Sequence, residues 1–334
     1  MNARSGPAAR DALQIALAAL LSLILAGPFT SPAAANPLDA IVGVRAEIPP
    51  DARTAEVLGT EREGSGVVID ADGLVLTIGY LIMESSSAEI VLRDDRRVPA
   101  EVVAYDYDSG FGLLRPLAPL GLAPIELGES DDLRPESQVL VASHEIRDKP
   151  TPAYVMSRRD FAGYWEYLMP NAIFTAPPHP GFGGAALIGP DGRLLGIGSL
   201  YVGDAAIENR PLPGNMFVPI EALTPILDEL KDKGRASSAR PWLGVYAEEH
   251  RGHLFVNRVA PEGPAAAAGL QADDVIVAVD GRKVSGLADF YRKLWALGDA
   301  GVTVPLTVLT RDGMTEIPVG SGDRYDYLRL EPSL

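Results

Sequence analysis

The chain contains no cysteine, which removes disulfide scaffolds, Cys-ligated zinc, iron–sulfur clusters and thiol nucleophiles in one step. It is short of positive charge: 29 Lys and Arg stand against 45 Asp and Glu, a formal net charge of −16. Phosphate binding needs a basic face, so nucleic acid is excluded as a partner. Histidine is scarce, with four in 334 residues, and none precedes His144. Long apolar runs are missing too. The best, Ala12 to Gly27, has sixteen residues and includes Gln14 and Ser22, short of the roughly 20 that span a bilayer. What is present is an ordinary apolar share of 47%, with 34 Gly and 28 Pro. Such a chain is not of the disordered class, and its length accommodates two domains, each with a core of its own.

Residues 1–35 read as an export signal. Arg4 and Arg10 precede the apolar run, and small residues follow up to Ala33, Ala34 and Ala35. That order gives a positive n-region, an h-region and an A-x-A site with the cut before Asn36. An uncleaved N-terminal anchor is the alternative, and no other membrane contact is expected. Either way the remainder is exported, to the periplasm or the cell exterior. From Asn36 onward the chain has 299 residues and net charge −17. A core of that size holds a secreted protein together without disulfides.

From Ile41 to Val218, apolar runs of four to seven residues recur between Gly, Asp and Pro: GVVID, LVLTI, AEIVL, EVVAY, QVLVAS, AALIG, LLGIGSL and MFVPI. These are short strands. Asp72-Gly73, Asp191-Gly192 and Asp312-Gly313 mark hairpin turns, because Gly tolerates the positive φ such turns demand. Strands at this density with almost no helix imply a barrel or sandwich. The first clear helix is EALTPILDELKDK, Glu221 to about Lys233, with Gly234 as its stop and Pro225 able to delay its start. RASSAR, residues 235–240, suits a linker. From Pro241 the pattern is mixed: strands WLGVYA and HLFVNRVA, a short helix PAAAAGL, a strand and turn DDVIVAVDG, an amphipathic helix SGLADFYRKLWAL and a final hairpin. Residues 241–334 carry 9 basic and 13 acidic groups, net −4, and residues 36–240 carry net −13. The acidity lies on the β-rich body.

The C-terminal part resembles a PDZ domain of the HtrA type. Leu243-Gly244-Val245, the Pro264 to Leu270 helix, Asp273-Asp274-Val275-Ile276 and Asp280-Gly281 occur in that family's order. The body resembles the trypsin-like domain of the same periplasmic (DegP-like) proteases. GSGVVIDADGLVLT matches the stretch before the catalytic histidine. MFVPI, the following helix and Arg240-Pro241-Trp242-Leu243-Gly244-Val245 match the passage between domains. The resemblance implies a mainly β fold: a trypsin-like double six-stranded β-barrel over residues 36–234, a linker over 235–240, a small α/β PDZ domain over 241–322 and a C-terminal tail over 323–334.

The resemblance also shows where the chemistry departs. The motif NN-His-VV of active members reads Ile78-Gly79-Tyr80-Leu81-Ile82, which puts Tyr80 in the general base's place. The acidic run places Gly110 at the carboxylate position. The G-N-S-G-G-P-L motif reads Gly181 to Leu187, with Gly183 in the nucleophile's place. All three triad positions are substituted, and no histidine in the first lobe could compensate. A nucleophilic hydroxyl needs a base that a third group orients. What remains is the oxyanion cradle of the Gly181 and Gly183 amides.

Other candidates have plainer readings. His179, in TAPPHPGFGG, is flanked by prolines and reads as structural. His144 follows Ser143 and precedes Glu145, but neighbours on a strand point to opposite faces. His250 and His253 sit in a solvated turn, and no metal site or cofactor is expected. Asp70 and Asp72 lack the rest of a calcium loop and read as a hairpin turn. Tyr164, Trp165 and Tyr167 could line a binding surface, although core packing or loop anchoring is favoured. A PDZ groove adds a peptide as a strand to its sheet edge. Leu243, Gly244 and Val245 would take a terminal carboxylate, with Phe290 and Leu294 in the amphipathic helix, alongside Leu287 and Tyr291, walling the groove.

The function expected is therefore an exported, proteolytically inactive HtrA-like protein that binds peptides or unfolded protein C-termini, in protein quality control or as a scaffold or regulator of active HtrA relatives. Two alternatives stand beside it. One is a serine endopeptidase with a relocated catalytic set, which needs a serine close to His179 or His144. The other is a structural subunit of an assembly, a homotrimer being what the resemblance implies.

Overall fold

The computed structural model describes residues 36–146, 149–206, 211–236 and 239–328; the expected export signal, residues 1–35, lies outside them. Strands β1 (Ile41–Glu47), β2 (Glu61–Val68), β3 (Val75–Ile78), β4 (Ser87–Val91), β5 (Arg97–Tyr105) and β6 (Phe111–Pro116) close a barrel in the order β1-β2-β3-β6-β5-β4. Every pairing is antiparallel. Alternate side chains point inward, so Val42, Val44, Val67, Leu76, Ile90, Phe111 and Leu113 are all buried. The β2–β3 turn forms as its Asp-Gly pattern requires. Asp70 Oδ1 accepts from the Asp72 and Leu74 amides at 3.0 and 2.9 Å, and Gly73 takes φ 84°. A single-turn helix, α1 (Ala55–Leu58), lies between β1 and β2.

Strands β7 (Gln138–Ala142), β8 (Thr151–Gly163), β9 (Tyr167–Ala176), β10 (Ala186–Ile188), β11 (Leu194–Val202) and β12 (Gly214–Pro219) close a second barrel in the order β10-β11-β12-β9-β8-β7. The helix expected from Glu221 starts later. Ile220–Ala222 is a 3₁₀ turn, and the α-helix, α2, runs only over Leu227–Lys233. Pro225 has no amide for the helical ladder, which moves the start past it. Gly234, at φ 76°, ends the helix in the left-handed conformation.

The C-terminal domain comprises β13 (Val245–His250), β14 (His253–Val259), α3 (Pro264–Ala267), β15 (Val275–Val279), β16 (Arg282–Lys283), α4 (Leu287–Trp295), β17 (Thr303–Thr310) and β18 (Gly313–Gly320). Its sheet runs β13-β14-β15-β17-β18, which leaves β13 at the edge. Leu243, Val245, Leu254, Val256, Ile276, Phe290, Leu294, Val304 and Leu306 form its core. The fold is thus the expected one, two six-stranded β-barrels and a small α/β domain.

The described part of the segment expected as a tail, residues 323–328, is built into the structure. Residues Arg324–Leu328 form α5. The Tyr325 hydroxyl donates to Tyr105 O at 2.9 Å and accepts from the Tyr107 amide at 3.1 Å, while Leu328 packs with Met83 and Tyr105. This helix fastens the C-terminal domain to the first barrel.

Candidate functional site

The 3₁₀ turn Gly79–Leu81 after β3 carries Tyr80 to the seam between the barrels. Its hydroxyl crosses the seam and donates to Ser199 O on β11 at 3.0 Å. Burial pushes the phenol's pKa up, so the hydroxyl keeps its proton and acts as a donor. A Cβ added at Gly183 would lie 2.9 Å from that oxygen. Tyr80 therefore takes up the space into which a side chain at position 183 would project. The Gly183 carbonyl accepts from the Ser65 amide at 2.8 Å, which ties this loop to the first barrel.

Gly110 has φ +82°, a left-handed conformation that L side chains avoid. A carboxylate residue there would be strained. Its amide donates to Asp106 O at 2.8 Å, and its carbonyl accepts from the Gly79 amide at 2.7 Å. The buried Asp106 carboxylate serves its own turn, accepting from Ser109 N at 2.8 Å and Ser109 Oγ at 2.5 Å. Among the described residues, the amides of Gly181 and Gly183 make no hydrogen bond, so they remain as donors on a half-buried loop.

A serine does lie beside a histidine, though not at the positions the family motifs mark. His179 Nε2 is 2.9 Å from Ser143 Oγ, and His179 Nδ1 is 2.8 Å from Thr151 Oγ1. The loop is pinned through Asn215, whose Oδ1 accepts from the His179 amide at 2.6 Å. Both Ser143 and His179 have zero exposure, so a substrate carbonyl has no access to the hydroxyl. Neighbouring His144 points elsewhere: its ring packs over Gly43, and its amide donates to Ser65 Oγ at 2.9 Å.

Burial lowers the pKa of His179, which gives a pH signature. As pH falls below the ordinary imidazole value of about 6.5, the unfolded chain takes up a proton that the folded chain refuses. Stability fully present above that value is therefore lost as pH falls towards the depressed one. Urea denaturation at pH 7.5 and 5.5 is expected to show a larger loss in the wild type than in His179→Gln. Equal losses would remove His179 as the source.

His250 and His253 face each other across the β13–β14 turn and are exposed. No group of three or more metal-ligating side chains occurs among the described residues.

In the C-terminal domain, Phe290 and Leu294 are fully buried in the domain's own core. The loop before β13 has a different partner. The Leu243 amide donates to Glu166 Oε2 at 3.0 Å and the Val245 amide to Glu166 Oε1 at 2.6 Å, with the Gly244 amide contributing to the same carboxylate. Gly244 has φ +78°, the conformation that turns successive amides towards one point. Glu166 comes from the tip of the β8–β9 hairpin in the second barrel. Only 4% of it is exposed, and burial outweighs the amides in holding its pKa above the usual carboxylate range. Tyr164, Trp165 and Tyr167 flank it. Trp165 and Tyr167 stack at 5.7 Å, and Tyr164 lies 6.3 Å from Tyr246. The aromatic cluster is visible in the sequence, whereas the partner of the acid inside it lies 77 residues away in another domain. A lone Glu in a turn of aromatics was the available signal.

Comparison with known proteins agrees with this architecture. The trypsin-like peptidase domain family matches residues 64–197, and the PDZ domain family matches residues 241–317. A probable periplasmic serine endoprotease, DegP-like, from Pseudomonas fulva is 29% identical over 268 residues, covering 75% of this chain and 54% of that protein. Serine protease PepD of Mycobacterium tuberculosis is 29% identical over 301 residues, covering 83% and 64%. The chain spans about half the length of the first of these relatives. Among solved structures, the serine endoprotease from Yersinia pestis aligns with TM-score 0.52 at 20% identity, over 87% of this chain and 98% of that one. The HtrA-type protease AlgW with a decapeptide aligns with TM-score 0.54 at 21% identity, over 87% and 96%. No helix among the described residues is long and apolar enough to cross a membrane. Two six-stranded barrels and the domain that follows them are thus a trypsin-like peptidase domain and a PDZ domain, and across both this chain is similar to DegP-like and HtrA-type proteases.

Proposed function

We propose that this protein is an exported, periplasmic HtrA-family member that does not cleave peptides. In this reading its PDZ domain, within residues 241–322, binds peptide or unfolded-protein C-termini in quality control or in regulating active relatives. One observation carries it: Tyr80, which the family resemblance puts in the base's place, spans the seam to Ser199 O and fills the space beside Gly183. Acyl transfer needs a hydroxyl within about 3 Å of an imidazole that a third group orients from its other nitrogen. Tyr80, Gly110 and Gly183 offer a protonated phenol and two glycines. The Gly181 and Gly183 amides would still stabilise an oxyanion, but an oxyanion hole with no nucleophile leaves only about 10³ to 10⁴ over water. For a peptide bond that is negligible turnover.

The Ser143–His179 contact favours a second reading, hydrolysis by a relocated set. The sealed position of both side chains counts against it. Incubating the purified chain with unfolded casein and a fluorophosphonate probe tests both. We expect neither cleavage nor labelling, and none gained by Gly183→Ser, because a new hydroxyl there meets no base. Cleavage or labelling that Ser143→Ala abolishes would overturn the silent reading in favour of the relocated set.

A further inference from the structure

We propose that the carboxylate site of the PDZ domain is already filled by this chain: the Tyr164–Glu166 tip of the β8–β9 hairpin is an internal ligand that an incoming peptide end must displace. The proposal rests on the reading of this domain as a peptide-binding module and adds how that site is controlled. Three kinds of contact make the hairpin tip a ligand mimic rather than an ordinary domain contact.

The first is the carboxylate itself. Glu166 is a buried acid held by the amides of Leu243 and Val245, with Gly244 between them. Burying a carboxylate is costly unless charge-assisted hydrogen bonds replace its water. Here they come from the loop that the fold turns towards a peptide terminus.

The second is strand addition. β13 is the edge of its sheet, so its outward amides have no strand partner. The Ala247 amide donates to Tyr164 O at 3.1 Å. Tyr164 lies two residues before Glu166. Counted back from the carboxylate, the hairpin thus offers its backbone to the strand edge as an extended peptide does.

The third is the opposite wall. Tyr291 of α4, fully buried, donates through its hydroxyl to Gly163 O at 2.7 Å and accepts from the Glu166 amide at 3.2 Å. Both sides of the groove therefore hold the tip. Around it, Arg292 pairs with Asp160 of β8, Leu168 of β9 joins the PDZ core, and Arg324 donates to Trp165 O at 2.8 Å. Glu166 has φ 55°, a backbone conformation that is strained for a non-glycine residue. Its anchored side chain holds the turn there.

The ligand that fits is an extended peptide with a free α-carboxylate, whose carbonyl two residues back pairs with Ala247. Its apparent affinity is lowered by the fraction of molecules in which the hairpin is out. Binding would release the β8–β9 hairpin, so occupancy of the PDZ groove is exclusive with its docking on the second barrel.

The test uses the full chain with two readouts. Amide hydrogen exchange at Leu243, Val245 and Ala247 is expected to be at least about tenfold faster in Glu166→Ala than in the wild type. Fluorescence polarisation with labelled ten-residue peptides of randomised sequence and free C-termini is expected to show binding at least about tenfold tighter to Glu166→Ala, and none for the C-terminally amidated set. Glu166→Gln keeps the side-chain volume, guards against loss of folding, and should fall between the two. Equal exchange of these amides in wild type and both variants overturns the internal ligand. Peptide binding of equal strength in wild type and Glu166→Ala overturns it too, while leaving the peptide-binding reading intact. Faster exchange in the variant without binding of any peptide supports the internal contact and overturns the peptide-binding reading instead.

Discussion

Replacing Gly184 by alanine is expected to destabilise the protein by about 4 kcal/mol or more, enough to prevent soluble accumulation of a protein whose total stability is on the order of 5–15 kcal/mol. Two effects add. Gly184 has φ +73°, which costs an L side chain about 1–2 kcal/mol. The new Cβ would also fall 1.9 Å from Ser65 O and 2.8 Å from Thr77 Oγ1. Ser65 O is backbone and is already fixed by the Thr77 hydroxyl at 2.7 Å, so it cannot yield as a flexible side chain could. Relief would require β2 of the first barrel to part from the loop of the second, breaking the Ser65 amide bond to Gly183 O. Gly183→Ala is the internal comparison, because the one close approach of its new Cβ is to the Tyr80 hydroxyl, at 2.9 Å, the next atoms lying at 3.8 and 4.0 Å. That hydroxyl is the far end of a side chain, and we expect a cost of about 1 kcal/mol. Denaturant midpoints of the two variants check the pair. A Gly184→Ala loss below about 1 kcal/mol would mean that the inter-barrel seam is far more compliant than this packing implies.

The seam explains which features the sequence discloses. Strand runs, Asp-Gly turns and the ordered motifs of GSGVVIDADGLVLT and Leu243-Gly244-Val245 are local patterns, so the barrels and the following domain could be read from them. The departure proposed at Tyr80 rests on the same kind of local pattern, together with the lack of any histidine before His144. Contacts between distant segments were not. Ser143 and His179 are 36 residues apart and meet only once the second barrel closes. Glu166 reaches Leu243 across 77 residues, between two different domains. Tyr325 reaches Tyr105 across 220, which is why residues 323–328 read as a tail although they form a strap. Phe290 and Leu294 illustrate the converse. Their helical spacing marks an apolar face correctly, but spacing alone does not tell a groove wall from a core, and both are core.

Arg62 belongs with the residues that pattern conceals, and its removal carries the second large effect. It sits between Glu61 and Glu63, yet it is 4% exposed. Its guanidinium donates to Tyr80 O at 2.7 Å, Met83 O at 3.0 Å, Gly59 O at 3.2 Å and Thr54 Oγ1 at 2.8 Å. Burial lowers its pKa, and the nearby Glu84 carboxylate works against that. Glu84 in turn accepts from the Arg53 and Thr54 amides at 2.9 and 2.8 Å and from Thr54 Oγ1 at 2.5 Å. Arg62→Ala would leave the carbonyls without their donors and the half-buried Glu84 without its nearby cation. Breaking a buried charged network from one side costs about 3–5 kcal/mol. Arg62→Lys should recover less than half of that, because one ammonium cannot reproduce a planar fork serving four acceptors. Urea denaturation measures the cost. Hydrogen exchange at Ile82 and Met83, whose amides close the turn that holds Tyr80 by bonding to Gly79 O, reports whether the loss is local to it. Faster exchange there with the PDZ amides unchanged is the expected outcome. A cost under about 1 kcal/mol with unchanged exchange would mean that the turn holds Tyr80 across the seam without Arg62.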